Sequence, residues 1–332
     1  MRSLKAPPDA AVLERVQRTV QQAARAGGLD LVFEALGTVC RVSLGGDPEV
    51  LKRLPPLLLN WVATFEAKYS RFLPESWISQ INAAAGECWV AVDAEMDKLF
   101  VLCDQMSFVT RGVFDPTALP LVQLWNWKAS PVRVPDDSEI EAARARVGWR
   151  QIQRSPGKIF LPKAGMCLDL GGMGKEYAVD QVTLLARSQG ATGVLVDFGA
   201  DLRVSGPPPD GRPAWHIGLD DPKKPGRPWC GLAIRDAAVA TSGDYLRKFE
   251  INGRRYGHIL DIRTGRPVDN GCRAVSVVAP SCTLAGMLST AAFVLGPEEG
   301  LRLMDAQMGV AGAMVLETRT VTSRKFYEHV VS

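Results

Sequence analysis

Apolar residues recur at helical spacing near the start of the chain. Val12, Leu13, Val16, Val20 and Ala24 share one face, with Asp9 ahead of them as a candidate cap. Gly27 and Gly28 then break the pattern, so residues 1–28 read as an N-terminal helix set before a main body at 29–332. Two strand-like runs, 31–36 and 40–44, flank Gly37 and predict a hairpin. The next helical pattern, 49–69, contains Pro55 and Pro56, which predicts a disturbed helix. Met96, Leu99, Phe100, Cys103 and Met106 define the face of a helix over 95–110. A short charged helix follows at 139–146, and another helix at 174–188 after a glycine-rich turn. Strand patterns occupy 194–198, 215–219, 232–234 and 274–279, with Pro207-Pro208-Pro209-Asp210-Gly211 as a surface turn between two of them. Helical patterns return at 284–295 and 298–306, and two β-rich runs lie within 312–331. Strands and helices mix without a βαβ rhythm. This predicts an α+β fold with a central antiparallel sheet and packed helices.

Composition narrows the class. A chain of 332 residues with 46% hydrophobic and 23% charged residues can bury a large core, which excludes a disordered or fibrous protein. A net charge of +3 gives no reason to expect nucleic acid or an anionic membrane as partner. The seven cysteines are scattered, with no CxxC pair and no zinc spacing, as expected for reduced thiols in the cytoplasm. The first twenty residues hold no unbroken apolar run, so no secretion signal is expected. The longest apolar stretch, 284–296, falls short of the roughly 20 residues a membrane-spanning helix needs.

Four stretches can carry chemistry. In DLGGMGKEYAVD, 169–180, Gly171, Gly172 and Gly174 permit a tight turn before a helix whose free N–H groups favour an anion, and Lys175 adds positive charge. Asp169 and Glu176 stand where a Walker loop needs Gly and Ser/Thr, and Tyr177 stands where a dinucleotide fingerprint needs Gly, so neither motif is present. The stretch also reads as a purely structural turn. The second runs from 240 to 268. Thr241-Ser242-Gly243 offers hydroxyls and open backbone, Arg247, Lys248, Arg254 and Arg255 are basic, and His258 leads to Asp261. Histidine is the natural proton carrier near neutral pH; the plain alternative is a strand-end histidine beside a solvated basic face. The third, 281–296, reads as a buried helix whose Ser289 and Thr290 bond back to their own turn. In the fourth, Trp125 and Trp127 follow FDPT, 114–117, and read as core.

Taken in order, these stretches resemble the ApbE family, the FAD:protein FMN transferases, from about Phe33 to the C-terminus. ALGT (35–38) is similar to the family's MGT. YSRFLPESWISQIN (69–82) resembles its S-x-F-x-x-x-S-x-I-x-x-I/L-N signature, and FDPTALPLVQLWNW (114–127) resembles FDPTVGPLVxLWG. DLGGMGKEYAVD resembles DLGGIAKGYAVD, and VDFGADLRVSG (196–206) resembles N-x-GGD-x-x-x-x-G. ATSGDY and HILDIRTGRPV resemble ATSGxY and HIIDPxTGxPV, and AGMLSTAAFVLG resembles ADALATAxFVLG.

The resemblance implies a single T-fold-like unit that moves FMN from FAD onto a Thr or Ser of a target flavoprotein, through a phosphoester bond with release of AMP. The acceptor carries a D/S-G-A/S-T-type motif. His258 is the implied catalytic residue. Leu36, Asn82, Asp115, Thr117, Gly171, Gly172, Lys175, Asp180, Thr241, Ser242, Gly243 and His258 are the implied flavin-dinucleotide contacts. Mg²⁺ is implied at Gly174, through its carbonyl, and at Thr290. Gly286 replaces the family's metal-binding Asp, and Glu176, Ala200 and Ile262 are further departures; a carboxylate at Glu176 either compensates in part for the lost Asp or repels the pyrophosphate. Two alternatives stay open: an FAD-binding protein that has lost transfer, motivated by Gly286, and an FAD pyrophosphatase in which water replaces the acceptor hydroxyl.

Overall fold

The computed structural model describes residues 1–130, 132–244 and 248–331. One nine-stranded antiparallel sheet organises it. Its strands are β1 (Gln21–Arg25), β2 (Gly28–Ala35), β3 (Thr38–Gly45), β4 (Gly193–Phe198), β5 (Asp201–Ser205), β6 (Ala238–Gly243), β7 (Cys272–Ala279), β8 (Ala311–Leu316) and β9 (Thr320–Thr322). They lie side by side in chain order, each antiparallel to the next. The sheet is a meander whose consecutive strands are interrupted by long excursions.

Five helices matter for the site: α1 (Asp9–Gln17), α2 (Pro48–Tyr69), α3 (Ala94–Val109), α4 (Gly174–Ser188) and α5 (Cys282–Asp305). α2 packs on β2 and on α4, α4 on β4 and β5, and α5 on α4 and on β6 and β7. Alternation along β7 places Val275, Val277 and Ala279 in the core under α5. Val278 joins Trp215, Leu219, Leu232 and Phe326 on the other face. There a hairpin of Trp215–Asp221 and Lys224–Ile234 covers the sheet. Both faces of β7 are therefore dry: residues 274–279 are all buried, with Ser276 the one polar residue among them.

Several local expectations change. Asp9 lies in the first turn of α1, and the cap position is Pro8, without a side-chain bond. α1 stops at Gln17. Residues 21–25, predicted as helix, form the edge strand β1, because Gly27 and Gly28 allow the chain to fold back and pair with β2. The segment 1–28 is thus a helix plus a strand of the main sheet. Pro55 and Pro56 do not interrupt α2. Asp47 caps its start, Pro48 occupies its first turn, and burial of Leu51, Leu54, Leu58, Leu59, Val62 and Phe65 outweighs the lost backbone bonds. The two helical patterns at 284–295 and 298–306 are two helical stretches as expected, numbered together as α5 and parted by a kink at Gly296, where φ is 81° and ψ is 179°. Asn270 Nδ2 donates to the carbonyl of Phe293, freed by that kink, at 2.8 Å.

Among the described residues no helix is long and apolar enough to cross a membrane.

Candidate active site

The glycine turn leaves Leu168 at the end of an extended segment that Asn82 brackets. Asn82 Nδ2 donates to the Leu168 carbonyl at 2.9 Å, and its Oδ1 accepts the Leu168 N–H at 2.7 Å. Asp169 follows, fixed by Arg71 at 3.1 Å and by the Gly171 N–H at 2.8 Å. Burial pushes the Asp169 carboxyl up, against the pull of Arg71. Gly171 and Gly172 are exposed on the outer face of the turn, while Gly174 is buried where α4 begins.

Three elements meet beside that helix start. Lys175 forms an ion pair with Asp201 of β5, and its Nζ also lies 3.3 Å from Glu176 Oε1. The two carboxylates hold the Lys175 ammonium above the usual lysine range despite its burial. Asp201 reaches onward to accept the Thr241 N–H at 3.1 Å. On β6, Thr241 Oγ1 and Ser276 Oγ are 2.8 Å apart, and Ser242 Oγ lies 2.8 Å from Ser289 Oγ and 2.9 Å from Thr290 Oγ1 of α5. Ser289 also donates to the Gly286 carbonyl at 2.9 Å, as its helical position predicts; Thr290 instead points its hydroxyl to β6. Lys175 thus reaches the Thr241 backbone through Asp201, while Ser242, Ser289 and Thr290 form a second group, of hydroxyls, on the α5 face of β6. Gly243 ends β6 beside it.

Glu176 is the unusual member. Only 7% of it is exposed, and its Oε2 has no hydrogen-bond partner. Burial pushes its carboxyl up to about 7, with Lys175 opposing. It packs on Gly286: a Cβ there would stand 2.6 Å from Glu176 Cγ. The sequence marked both positions as departures, with the Glu176 carboxylate either compensating in part for the lost Asp or repelling the pyrophosphate; their direct packing emerges only in the fold.

His258 is half-buried and leaves the hairpin formed by Lys248–Ile251 and Arg254–Gly257. That hairpin is tied to the end of β6. Asp244, next to Gly243 and 4% exposed, accepts from Arg255 at 3.3 Å and from Arg273 at 2.7 Å. A Cβ on Gly257 would lie 3.0 Å from Asp244 Cβ, so glycine lets the hairpin close on β6. Asp244, Arg255 and Arg273 were not singled out as a unit in the sequence, since only the fold brings them together. Tyr245 and Arg247, read above as part of this stretch, lie outside the described residues.

The remaining candidates hold the frame. Asp115 accepts the Thr117 N–H and the Trp149 N–H, each at 2.8 Å, and Thr117, fully buried, accepts the Gly148 N–H at 2.7 Å. Asp180 is 5% exposed and spends both oxygens inside the protein, on Arg203, Cys282 and Thr283. Leu36 sits in the β2–β3 turn at φ 54°, ahead of Gly37, and its N–H donates to the buried Glu66 at 2.9 Å. The structure therefore gives Asn82, Asp115, Thr117 and Asp180 internal hydrogen-bond partners where ligand contacts were expected. Trp125 is core as predicted, and its Nε1 donates to the Gly265 carbonyl at 2.7 Å.

The class is now defined: an α+β protein with a glycine turn and helix start facing a hydroxyl-bearing strand across a half-buried lysine. The chain belongs to the ApbE family, whose pattern matches residues 36–315. It is 31% identical over 306 residues to the FAD:protein FMN transferase of Treponema pallidum, covering 86% of this chain and 84% of that protein. To the Vibrio cholerae protein of the same description it is 32% identical over 252 residues, covering 75% of each. Its fold matches the crystal structure of the ApbE protein from Thermotoga maritima with a TM-score of 0.83 at 31% identity, over 94% of this chain and all of that one. The flavin transferase ApbE from Vibrio cholerae matches with a TM-score of 0.82 at 27% identity, over 93% and 99% of the two chains.

Proposed function

We propose that this protein moves FMN from FAD to a Thr or Ser hydroxyl of a target flavoprotein and releases AMP. The observation that carries the reading is a pair of groups meeting at β6 on a family-matched fold: Lys175 and Asp201 on the Thr241 backbone, and the hydroxyls of Ser242 and Thr290 toward α5. They set a protonated lysine and two hydroxyls near a helix start, an arrangement suited to a pyrophosphate.

The acceptor oxygen attacks the FMN-side phosphorus, and the bond from that phosphorus to the AMP oxygen breaks. One phosphoester forms, one phosphoanhydride is lost, and the hydroxyl proton passes to His258. Lys175 holds positive charge near the pyrophosphate, since its two carboxylates keep it protonated. Ser242 supplies a hydroxyl, the Thr241 N–H holds Asp201 beside Lys175, and the turn at Gly171 and Gly172 lets backbone approach the dinucleotide. Asn82, Asp115, Thr117 and Asp180 act by fixing the loops.

The donor set also fits a divalent cation. Thr290 Oγ1 and the Gly174 carbonyl are neutral oxygen ligands, and the buried Glu176 has an oxygen without a partner. Mg²⁺ held there would neutralise pyrophosphate charge. Among the described residues no three His, Cys, Asp or Glu side chains converge as a metal cluster, so a cation here would rest on one carboxylate with hydroxyl and carbonyl oxygens. We assign the activity to the cytoplasm, in keeping with seven unpaired cysteines.

The test is in-gel flavin fluorescence after incubation with FAD, Mg²⁺ and a protein bearing a D-G-A-T acceptor. A denaturation-resistant band is expected with the wild type. It should fall by about 10² or more with His258→Ala, the usual scale of general-base loss. FAD binding with no band would favour the binding-protein alternative. FMN and AMP formed without acceptor would favour the pyrophosphatase.

A further inference from the structure

We infer that Glu176 supplies the anionic ligand of a divalent-cation site between α4 and α5, a place where residue 286 carries no side chain.

Three separate observations converge. The first is the carboxylate itself. Glu176 is buried, Oε1 lies 3.3 Å from Lys175 Nζ, and Oε2 has no partner in the protein. A buried carboxylate oxygen without a donor is costly, and such groups call for a missing partner. Lys175 is already ion-paired with Asp201. One ammonium thus faces two carboxylates, which leaves room for further positive charge.

The second is space. A Cβ on residue 286 would lie 2.6 Å from Glu176 Cγ and 3.2 Å from its Cδ. Any side chain at 286 would collide with the Glu176 stem, and that stem is packed and buried. The position accepts a carboxylate from α4 or one from α5, and not both in this arrangement. Glycine at 286 and glutamate at 176 are therefore a matched pair: the charge is delivered across the helix interface instead of from α5.

The third is the surroundings. Gly286 heads a helical turn whose next polar side chains are Ser289 and Thr290. Ser242 Oγ lies 2.8 Å from the Ser289 hydroxyl and 2.9 Å from that of Thr290, and Ser289 donates to the Gly286 carbonyl. Neutral hydroxyl and carbonyl oxygens with one carboxylate are the ligand chemistry of a hard divalent cation such as Mg²⁺ or Mn²⁺. The inference rests on the proposed function only in expecting FAD phosphate oxygens to complete the coordination.

The experiment measures Mn²⁺ binding by electron paramagnetic resonance, with saturating FAD and no acceptor, so that turnover is not the readout. FAD affinity without metal is measured in parallel by flavin fluorescence. Wild type is expected to bind Mn²⁺, and Glu176→Gln to weaken it about 10-fold or more, while FAD is still bound in the absence of metal. The double variant Glu176→Gly with Gly286→Asp is expected to return to within about 3-fold of wild type. Gly286→Asp alone is expected to stay weak or unfold, because two side chains then claim one space. Mn²⁺ bound equally well by wild type and Glu176→Gln, or not bound by wild type, overturns the inference. If Glu176→Gln does not fold, the double variant decides: folded and binding supports the inference, folded and not binding overturns it. A wild type that binds Mn²⁺ and FAD without transferring flavin would sink the proposed reaction and leave this site standing.

Discussion

Replacing Asp180 removes a joint of the fold, and the structure sets its size. Asp180 projects from α4 into the start of α5. Its Oδ1 accepts the Cys282 N–H at 2.8 Å and Arg203 Nη1 at 2.8 Å. Its Oδ2 accepts the Thr283 N–H at 2.9 Å and Thr283 Oγ1 at 2.7 Å. The carboxylate therefore satisfies two buried helix-start donors, a hydroxyl and a guanidinium, and its charge complements the positive end of α5. Asp180→Ala leaves two buried N–H groups unsatisfied, at about 1–3 kcal/mol each, and strands Arg203. Breaking a buried pair from one side costs about 3–5 kcal/mol. These overlap, so a loss of about 4 kcal/mol is expected. At about 2 cal/mol/K of unfolding entropy per residue, a chain of this length loses roughly 1.5 °C per kcal/mol, hence roughly 6 °C. Asp180→Asn should recover little, because its NH₂ would face donors. The assay is urea unfolding of the FAD-free protein, with calorimetry beside it. A loss under about 1 kcal/mol for Asp180→Ala would refute the reasoning. If FAD affinity instead falls at unchanged stability, Asp180 is a ligand contact as the family resemblance first implied.

Gly265→Ala should destabilise by about 2 kcal/mol, seen as a lower urea midpoint, since φ there is +70° and a Cβ would meet Ile140 Cγ2 at 2.6 Å. The same change should expose the Trp125 segment, anchored to the Gly265 carbonyl, to limited proteolysis. Asn82→Ala should cost about 2 kcal/mol through its paired bonds to Leu168, measured the same way. A thiol reagent should label Cys88, Cys167 and Cys230 in the native protein and reach Cys40, Cys103, Cys272 and Cys282 only in denaturant. Labelling of Cys167 and Cys230 should quicken as pH rises, because burial pushes both thiols up and only the thiolate reacts. Burial holds Cys40 higher still, at about 12, so rapid native labelling there would contradict the packing.

The parts of the fold written in local periodicity were legible. α4 begins and ends where the pattern at 174–188 placed it, and the hairpin of β2 and β3 follows from the two runs around Gly37. β1 was not legible, because QQAAR is exposed throughout and carries no alternation; only pairing with β2 makes it a strand. The same divide runs through the site. Motif order brought Lys175, Thr241, Ser242 and Thr290 to attention, and the structure gathers them around β6 in two hydrogen-bonded groups. The roles of Asn82, Asp115 and Asp180 depend on backbone donors far along the chain, which no local pattern reveals. The sequence left Glu176 open between compensating for Gly286 and repelling the pyrophosphate, and the packing of one on the other is a tertiary fact.

The meander order of the sheet has a consequence for synthesis. β3 pairs with β4, yet residues 46–192 separate them. Closing so long a loop costs about 4 kcal/mol more than a two-residue hairpin turn. At ribosomal rates of about 5–20 residues per second, β1 to β3 leave the ribosome roughly 7–30 s before their partner exists. α2, arriving first, can shelter the apolar face of Leu31, Phe33, Val42 and Leu44. It cannot supply the missing backbone partners of β3. During that interval the nascent chain presents an open strand edge, the surface at which two copies pair wrongly and which a chaperone protects.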